Sequence, residues 1–512
     1  MNRATTLGVI ALGVVVCLTF GTLAAVALRA DAVARLGPAD WAAVRFTLWQ
    51  AALSAALSIL LAIPVARALA RRRFPGRTVL VTLLGAPFIL PVIVAVLGLI
   101  AVFGRSGVVS TVLGAFGAEP VSIYGYHGVI LAHVFFNFPL ATRLILQGWL
   151  SIPAERFRLA ASLGLRPHDI ARMLERPMLR EVVPGAALVI FLICLTSFAV
   201  ALTLGGGPRA TTVELAIYEA FRFDFDLGRA ALLALIQFAL GAGAALIAFW
   251  VAIPGDMGAG LDRAIRRWDD SVLHRTRDVL VVGLAMLFLA LPLAMVVVNG
   301  LPGVLSLPVQ VYAAALRSIL VALGSAGLTL ILALPIAVYA VQRRSRLIEG
   351  LGYMTIAASP LVIGTGLFII TFPFIKPSDL ALPITALVNA AMSLPFTLRA
   401  LVPALAATEA NFGALADGLG MHGLARLRYL WLPRLRRPIG FALGLAGALS
   451  MGDLGVIAMF ADTHNATLPL QLFRLMGAYR MEDAAAAGLL LLLLSLSIFW
   501  IFDRGGRVNA VR

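Results

Sequence analysis

Arg158-Leu-Ala-Ala-Ser-Leu-Gly164 and Ala414-Leu-Ala-Asp-Gly-Leu-Gly420 are two copies of one short pattern, set 256 residues apart in a 512-residue chain. In each copy a proline, Pro177 or Pro433, follows the glycine by thirteen residues, with a leucine three residues before it. The small residues Ala160, Ala161, Ala414 and Ala416 let another backbone come close. Gly164 and Gly420 sit where a helix commonly stops, and the prolines interrupt or open the helix that follows. The pattern reads as a short docking helix, over residues 153–166 and 408–421, used twice. Two docking helices call for two partner subunits. The competing reading is an amphipathic loop lying on a membrane surface; duplication of the whole spacing favours docking.

Working outward, the flanking sequence is apolar almost everywhere. The chain is 61% hydrophobic and 13% charged, with a mean hydropathy of +0.97. Soluble domains are typically about 45–50% apolar, so the fold class is an all-α polytopic membrane protein. In lipid a lone spanning segment must satisfy its own backbone, which makes the spans helices. Twelve are expected, at about 5–28, 45–70, 79–103, 128–150, 182–204, 229–252, 278–300, 312–341, 349–374, 382–405, 438–461 and 484–503. The first follows Arg3 and resembles a signal peptide, but it is too long for one and reads as a retained span.

The net charge of +16 is not a nucleic-acid signature. Arginines cluster in every second loop: Arg71–Arg73 with Arg77, Arg156 to Arg180, Arg263 to Arg277, Arg343 to Arg346 and Arg426 to Arg437. The other loops carry balanced or acidic sets such as Glu214, Glu219, Asp224 and Asp226. This alternation places the arginine-rich loops and both termini in the cytoplasm of a bacterial inner membrane. Cys17 and Cys194 lie in apolar runs and read as small core residues, with neither disulfide nor metal spacing.

The halves are repeats. Asn137-Phe-Pro139 with Arg143 matches Ser393-Leu-Pro395 with Arg399 at the same offset. Ala62-Ile-Pro64 matches Ala333-Leu-Pro335, and Pro91 matches Pro360. Six spans per half give parallel repeats related by an axis along the membrane normal. The expected division is a first repeat over 1–253 with its docking loop at 153–177, a cytoplasmic linker over 254–278, and a second repeat over 279–512 with its docking loop at 408–433.

The duplicated loop resembles the docking loop of ABC importer permeases. That resemblance implies a helix seated in a cleft of an ATP-hydrolysing subunit, with Arg158, Ala160, Ala161, Gly164, Pro177, Ala414, Ala416, Gly420 and Pro433 as the docking residues. The glutamate usual in that loop is Arg158 here and Ala414 in the second copy, and the first alanine is leucine in both. The chain has no phosphate-binding loop, since that motif needs a lysine after a glycine-rich turn and the one lysine is Lys376, followed by Pro377. ATP and magnesium are therefore expected on partner ATPase subunits, and the chain is expected to be non-catalytic.

Three stretches carry a closer resemblance: Ala66 to Arg77, Tyr124 to Pro139 and Leu204-Gly-Gly-Gly-Pro-Arg-Ala-Thr-Thr-Val-Glu-Leu-Ala-Ile-Tyr218. They are similar to the thiamine and thiamine pyrophosphate importer permeases of Gram-negative bacteria. The resemblance implies delivery of thiamine or its phosphates by a periplasmic binding protein to a pathway between the halves. Asp453, in Ser450-Met-Gly-Asp-Leu-Gly455, is an acid inside the eleventh span, and such a group marks function by default; thiamine is a cation. The competing role is hydrogen bonding between helices. His133, Asn137, Asn389 and Ser393 either line a cavity or satisfy backbone freed by Pro139 and Pro395. Gly205, Gly206, Gly207 and Pro208 are the candidate contact for the binding protein. Phe221, Phe223 and Phe225 read as interface anchors.

Two rivals remain. A ferric-iron permease of the same build would call for more oxygen ligands in the spans. An ion-coupled secondary transporter would call for several intramembrane ionisable groups and no pair of matched docking loops.

Overall fold

The structure is a computed structural model that describes residues 3–30, 36–85, 89–250, 272–343 and 358–507, with isolated positions between 345 and 355. Every regular element among the described residues is helical. In the first half, α1 (Arg3–Val16) and α2 (Thr22–Arg29) flank a π turn, followed by α3 (Pro38–Arg71), α4 (Arg77–Leu83), α5 (Val92–Phe103) and α6 (Val108–Ala115). Then come α7 (Tyr126–Ser151), α8 (Ala154–Ser162), α9 (Pro167–Ile170), α10 (Arg176–Leu195), α11 (Ala199–Leu204), α12 (Val213–Arg222) and α13 (Leu227–Trp250).

The second half repeats the order with α14 (Val272–Gly300), α15 (Val309–Arg343), α16 (Pro360–Thr371) and α17 (Ala381–Gly418). It closes with α18 (Leu424–Arg426), α19 (Leu432–Met451), α20 (Gly455–Phe460), α21 (Leu468–Gly477) and α22 (Met481–Arg507). The bounds of α10 and α19, and of α11 and α20, match at the 256-residue offset seen in the sequence.

Among the described residues, eleven helical segments are long and apolar enough to cross a membrane. The remaining expected span, 349–374, is present as the twelve-residue α16, and most of its earlier part lies outside the described residues. The expected linker over 254–278 also falls largely outside them; residues 272–278 are already the first turns of α14.

Each half is built on three mutually packed helices: α3, α7 and α10 in the first, α15, α17 and α19 in the second. The opening helix of each half then crosses over. α1 and α2 pack on α15 and α16, while α14 packs on α3 and α5. Both crossings depend on a glycine. A Cβ on Gly98 would strike the Pro292 carbonyl of α14, and one on Gly366 would stand 2.6 Å from the Thr22 carbonyl of α2. Helix pairs in lipid gain nothing from hiding apolar surface, so close backbone approach supplies the van der Waals contact that holds them.

Polar ties secure the helix ends. Arg229 at the start of α13 binds the buried Asp40 carboxylate of α3 at 2.8 Å, and Arg72 at the end of α3 binds Asp278 of α14 at 2.7 Å. The short helices α12 and α21 are seated alike. The Val213 N–H donates to the Thr47 hydroxyl at 2.9 Å, and the Leu468 N–H donates to the Ser318 hydroxyl at 2.8 Å. A helix start buried in this way needs such an acceptor.

Candidate functional site: the paired loops and the turn between the halves

Both docking helices end in the same way. Gly164 has φ +61° and Gly420 has φ +66°. The Gly164 and Leu165 N–H groups donate to the Ala161 and Ala160 carbonyls at 3.0 Å each; the Gly420 and Met421 N–H groups donate to Asp417 at 3.0 Å and to Ala416 at 2.9 Å. This doubled bond closes a helix when the residue after the cap turns left-handed, which glycine does without steric cost.

The alanines named from the sequence divide by orientation. Ala160 and Ala416 are each 3% exposed and face their own bundle. Ala161 is half-buried, and Arg158 and Ala414 are exposed. Arg158 reaches only Glu155, at 3.8 Å. The outward face belongs instead to leucines that the sequence reading passed over: Leu159 and Leu163, 60% and 65% exposed, and Leu415 and Leu419, 61% and 67% exposed. They occupy matching positions at i and i+4, so each helix presents one apolar pair. The signal was there to find, since the four leucines fall at matching positions of the repeat.

The prolines do not open a new helix, as expected from sequence. Pro177 and Pro433 are exposed and sit second in α10 and α19, each directly after a π turn, Ala171–Glu175 or Leu427–Trp431. In those turns the Arg176 N–H reaches back five residues to the Ala171 carbonyl, and the Leu432 N–H reaches Leu427. A proline inside a helix removes a donor and crowds the carbonyl four residues back. A wider turn immediately before it relieves the crowding, so the helix runs on.

The two loops are braced differently. At the position where the first copy has Pro153, which separates α7 from α8, the second has Glu409, and α17 runs unbroken for 38 residues through the docking segment. Glu409 accepts from Arg426 at 2.5 Å and 3.1 Å and from the Trp431 indole N–H at 2.5 Å. In the first copy the carboxylate stands instead at Glu175, the counterpart of Trp431. It binds Arg67 at 2.9 Å and Arg71 at 2.8 Å, both on α3.

The polar residues of the spans form one group in each half. In the first, the Asn137 amide donates to the His133 carbonyl at 2.9 Å and to Cys194 Sγ at 3.3 Å, Gln50 donates to the Cys194 carbonyl at 3.0 Å, and His133 Nδ1 lies 3.5 Å from Ser54 Oγ. In the second, the Asn389 amide donates to Ser450 Oγ at 3.0 Å, and Ser450 is the repeat counterpart of Cys194. His133, Asn137, Asn389 and Ser393 are all buried within the three-helix core of their own half. The geometry is that of hydrogen bonding between packed helices.

Asp453 lies elsewhere, in the turn between α19 and α20 where the halves meet. A Cβ on Gly452 would stand 3.0 Å from Pro91 Cα of the first half, and one on Gly455 would stand 3.6 Å from Phe198. Asp453 Oδ1 accepts from the Gly455 N–H at 3.2 Å, while Oδ2 is buried without a partner. A second such carboxyl was missed. Glu214, grouped from sequence with the acids of an outer loop, is fully buried on α12, with the Gln237 and Ser359 side chains as its polar neighbours. Ser359 caps α16 of the other half. Buried carboxyls are costly, and these two groups stand at contacts between the halves.

The Gly205–Gly207 turn is fixed from within. The Gly125 N–H donates to the Leu204 carbonyl at 2.7 Å, and Gly206, at φ +64°, packs against Tyr124 and Gly125. Gly206 and Gly207 are exposed, and Pro208 begins a single 3-10 turn. The three phenylalanines separate: Phe221 is buried against Phe368 with ring centres 4.3 Å apart, whereas Phe223 and Phe225 are exposed.

No family model matches the chain. It is 40% identical over 513 residues to the thiamine transport system permease protein ThiP of Brucella abortus (strain 2308), covering 97% of this chain and 94% of that one. To the protein of the same name from Escherichia coli (strain K12) it is 40% identical over 476 residues, 91% of this chain and 89% of that one. To that of Haemophilus influenzae it is 33% identical over 479 residues, 90% and 87%.

Proposed function

The chain belongs to the family of thiamine transport system permease proteins, and on that premise we propose that it is the membrane-spanning subunit of an ATP-driven thiamine importer. The observation that carries the coupling half of this reading is the duplicated helix, glycine cap and π turn, each presenting an exposed leucine pair. In this reading one ATPase subunit closes on Leu159 and Leu163 and a second on Leu415 and Leu419. Burying an exposed leucine is worth about 2 kcal/mol, so two per loop give a firm seat without a salt bridge. ATP and magnesium are held by those partners, and this chain does no chemistry of its own.

The arginine-rich ends, α8 and the docking end of α17 among them, lie in the cytoplasm of the inner membrane, together with both termini. A periplasmic binding protein delivers thiamine at the opposite end, where the exposed Gly206–Gly207 turn is available. When the ATPases draw the docking helices together, the halves rock about their shared contact. The Asp453 turn and Glu214 stand on that contact, and their buried carboxyls suit a cation passing between the halves. The family name favours thiamine over the ferric-iron alternative, and the two matched loops favour ATP coupling over an ion gradient.

The test is ATP hydrolysis and uptake in proteoliposomes holding this chain with its ATPase and binding protein. Thiamine-loaded binding protein should stimulate both, and Leu159→Asp with Leu163→Asp should abolish both. Stimulation by ferric iron would overturn the substrate; uptake without ATP, driven by a proton or sodium gradient, would overturn the mechanism.

A further inference from the structure

Following the glycine cap of the first loop helix, His168, Arg172, Arg176 and Arg180 line a cleft of about 410 Å³. They recur every fourth residue from α9 through the π turn into α10. In an unbroken α-helix such a row drifts around the axis by about 40° at each step. The π turn rotates less per residue and cancels part of that drift. Three guanidinium groups and one imidazole are thereby held on one face, about 6 Å apart along the axis and spanning about 18 Å.

All four side chains are exposed. None of them pairs with an acid among the described residues. Three carboxylates adjoin the row in sequence: Glu175 is already held by Arg67 and Arg71, Asp169 accepts from the Arg166 backbone N–H, and Glu181 is exposed beside Arg180. The row is therefore a concentrated positive charge that the protein itself leaves unneutralised.

The repeat has no equivalent. The matching positions are Leu424, Arg428, Leu432 and Arg436. Leu432 and Arg436 border an apolar groove against Phe502, Gly505 and Gly506 of α22. The cationic cleft belongs to the first loop and not to its repeat counterpart, so it is not required by the arrangement that both halves share.

We propose that this cleft binds a multiply charged phosphate anion, one per chain. Guanidinium groups present paired donors that match phosphate oxygens. Arginines one helical turn apart can each take a separate phosphate of a diphosphate ester or of neighbouring phospholipid headgroups. Those two sources share the same chemistry and differ in whether the anion is soluble.

The chain is purified in neutral detergent and titrated with radiolabelled inorganic pyrophosphate. In parallel it is reconstituted in phosphatidylcholine nanodiscs with and without phosphatidylglycerol, and the co-purifying lipid is quantified. Saturable binding near one per chain is expected, weakened at least about tenfold by the combined variant Arg172→Gln, Arg176→Gln, Arg180→Gln. Arg428→Gln with Arg436→Gln should leave it unchanged. Bound pyrophosphate lost in the triple variant supports the site with a soluble phosphate ester as its ligand. Phosphatidylglycerol enrichment lost in the same variant supports it with a lipid headgroup. If the glutamine variant does not fold, the triple Arg→Lys variant keeps the charge, loses the paired donors and should bind several-fold more weakly. Absence of binding in both arms, or equal binding by the triple variant, overturns the proposal. So does a triple variant that only fails to assemble with the ATPase while the parent binds no anion; the cleft would then belong to an acidic protein partner.

Discussion

The docking segment at Ala154–Ser162 and its copy at the end of α17 share a backbone and not a brace. Both end in a left-handed glycine, both present two leucines, and both lead into a π turn. The first is cut from its span by Pro153 and tied to α3 through Glu175. The second is continuous with its span and is held by Glu409 to Arg426 and Trp431. Sequence has kept what a partner would touch and varied how each half supports it. The first loop can move relative to α7 because its only covalent link is a bend at Ile152 and Pro153. The second must move with α17.

The largest effect should come from charging the shared surface. Leu159→Asp with Leu163→Asp, and separately Leu415→Asp with Leu419→Asp, should each weaken ATPase assembly by roughly 3 kcal/mol, about a hundredfold. Co-purification of the ATPase measures it; loss in only one double variant would break the equivalence of the loops. Next come the crossings between halves. Gly98→Leu and Gly366→Leu should each cost about 2–3 kcal/mol, because a side chain would push on a backbone carbonyl. A lowered thermal midpoint in detergent for both is expected, and tolerance of either would show that its crossing is not close-packed.

The braces should differ in what they disturb. Glu409→Ala leaves the Trp431 indole without its acceptor and Arg426 with Asp417 alone, and should cost about 1–2 kcal/mol, after allowing for partial exposure of the pair. Glu175→Ala should loosen the contact of α10 with α3 by a similar amount. Proteolysis near residues 152–166 should rise in the second variant and stay unchanged in the first. The smallest effects belong to the caps. Gly164→Ala and Gly420→Ala meet no neighbouring atom and should each cost about 1 kcal/mol, from left-handed strain alone. Unequal values would mean that one loop has room to relax, which the bend at Pro153 predicts for the first.

Much of this was legible beforehand because lipid leaves few options. The spans, the repeat offset, the glycine caps and the pairing of Asn137 with Ser393 follow from composition and spacing. The misses share one cause. Glu214 looked like an outer-loop acid because it lies between two spans, yet α12 folds back into the bundle and buries it completely. Ala160 and Ala416 looked like contact residues because small side chains suit close approach, yet the approach they serve is to their own bundle. Pro177 and Pro433 looked like breaks because a π turn has no sequence signature.

The sequence alone determined that this chain is a membrane protein of two similar halves, with one glycine-capped loop helix repeated in each. Backbone groups in lipid must bond within their own segment, and a pattern repeated at a constant offset gives the same local backbone twice, as at Gly164 and Gly420. Tertiary structure decided which face of each docking helix points outward, that the first helix of each half crosses to the other, and that Asp453 and Glu214 stand at contacts between the halves. Those outcomes depend on which helices pack together across hundreds of residues, and no local spacing records that.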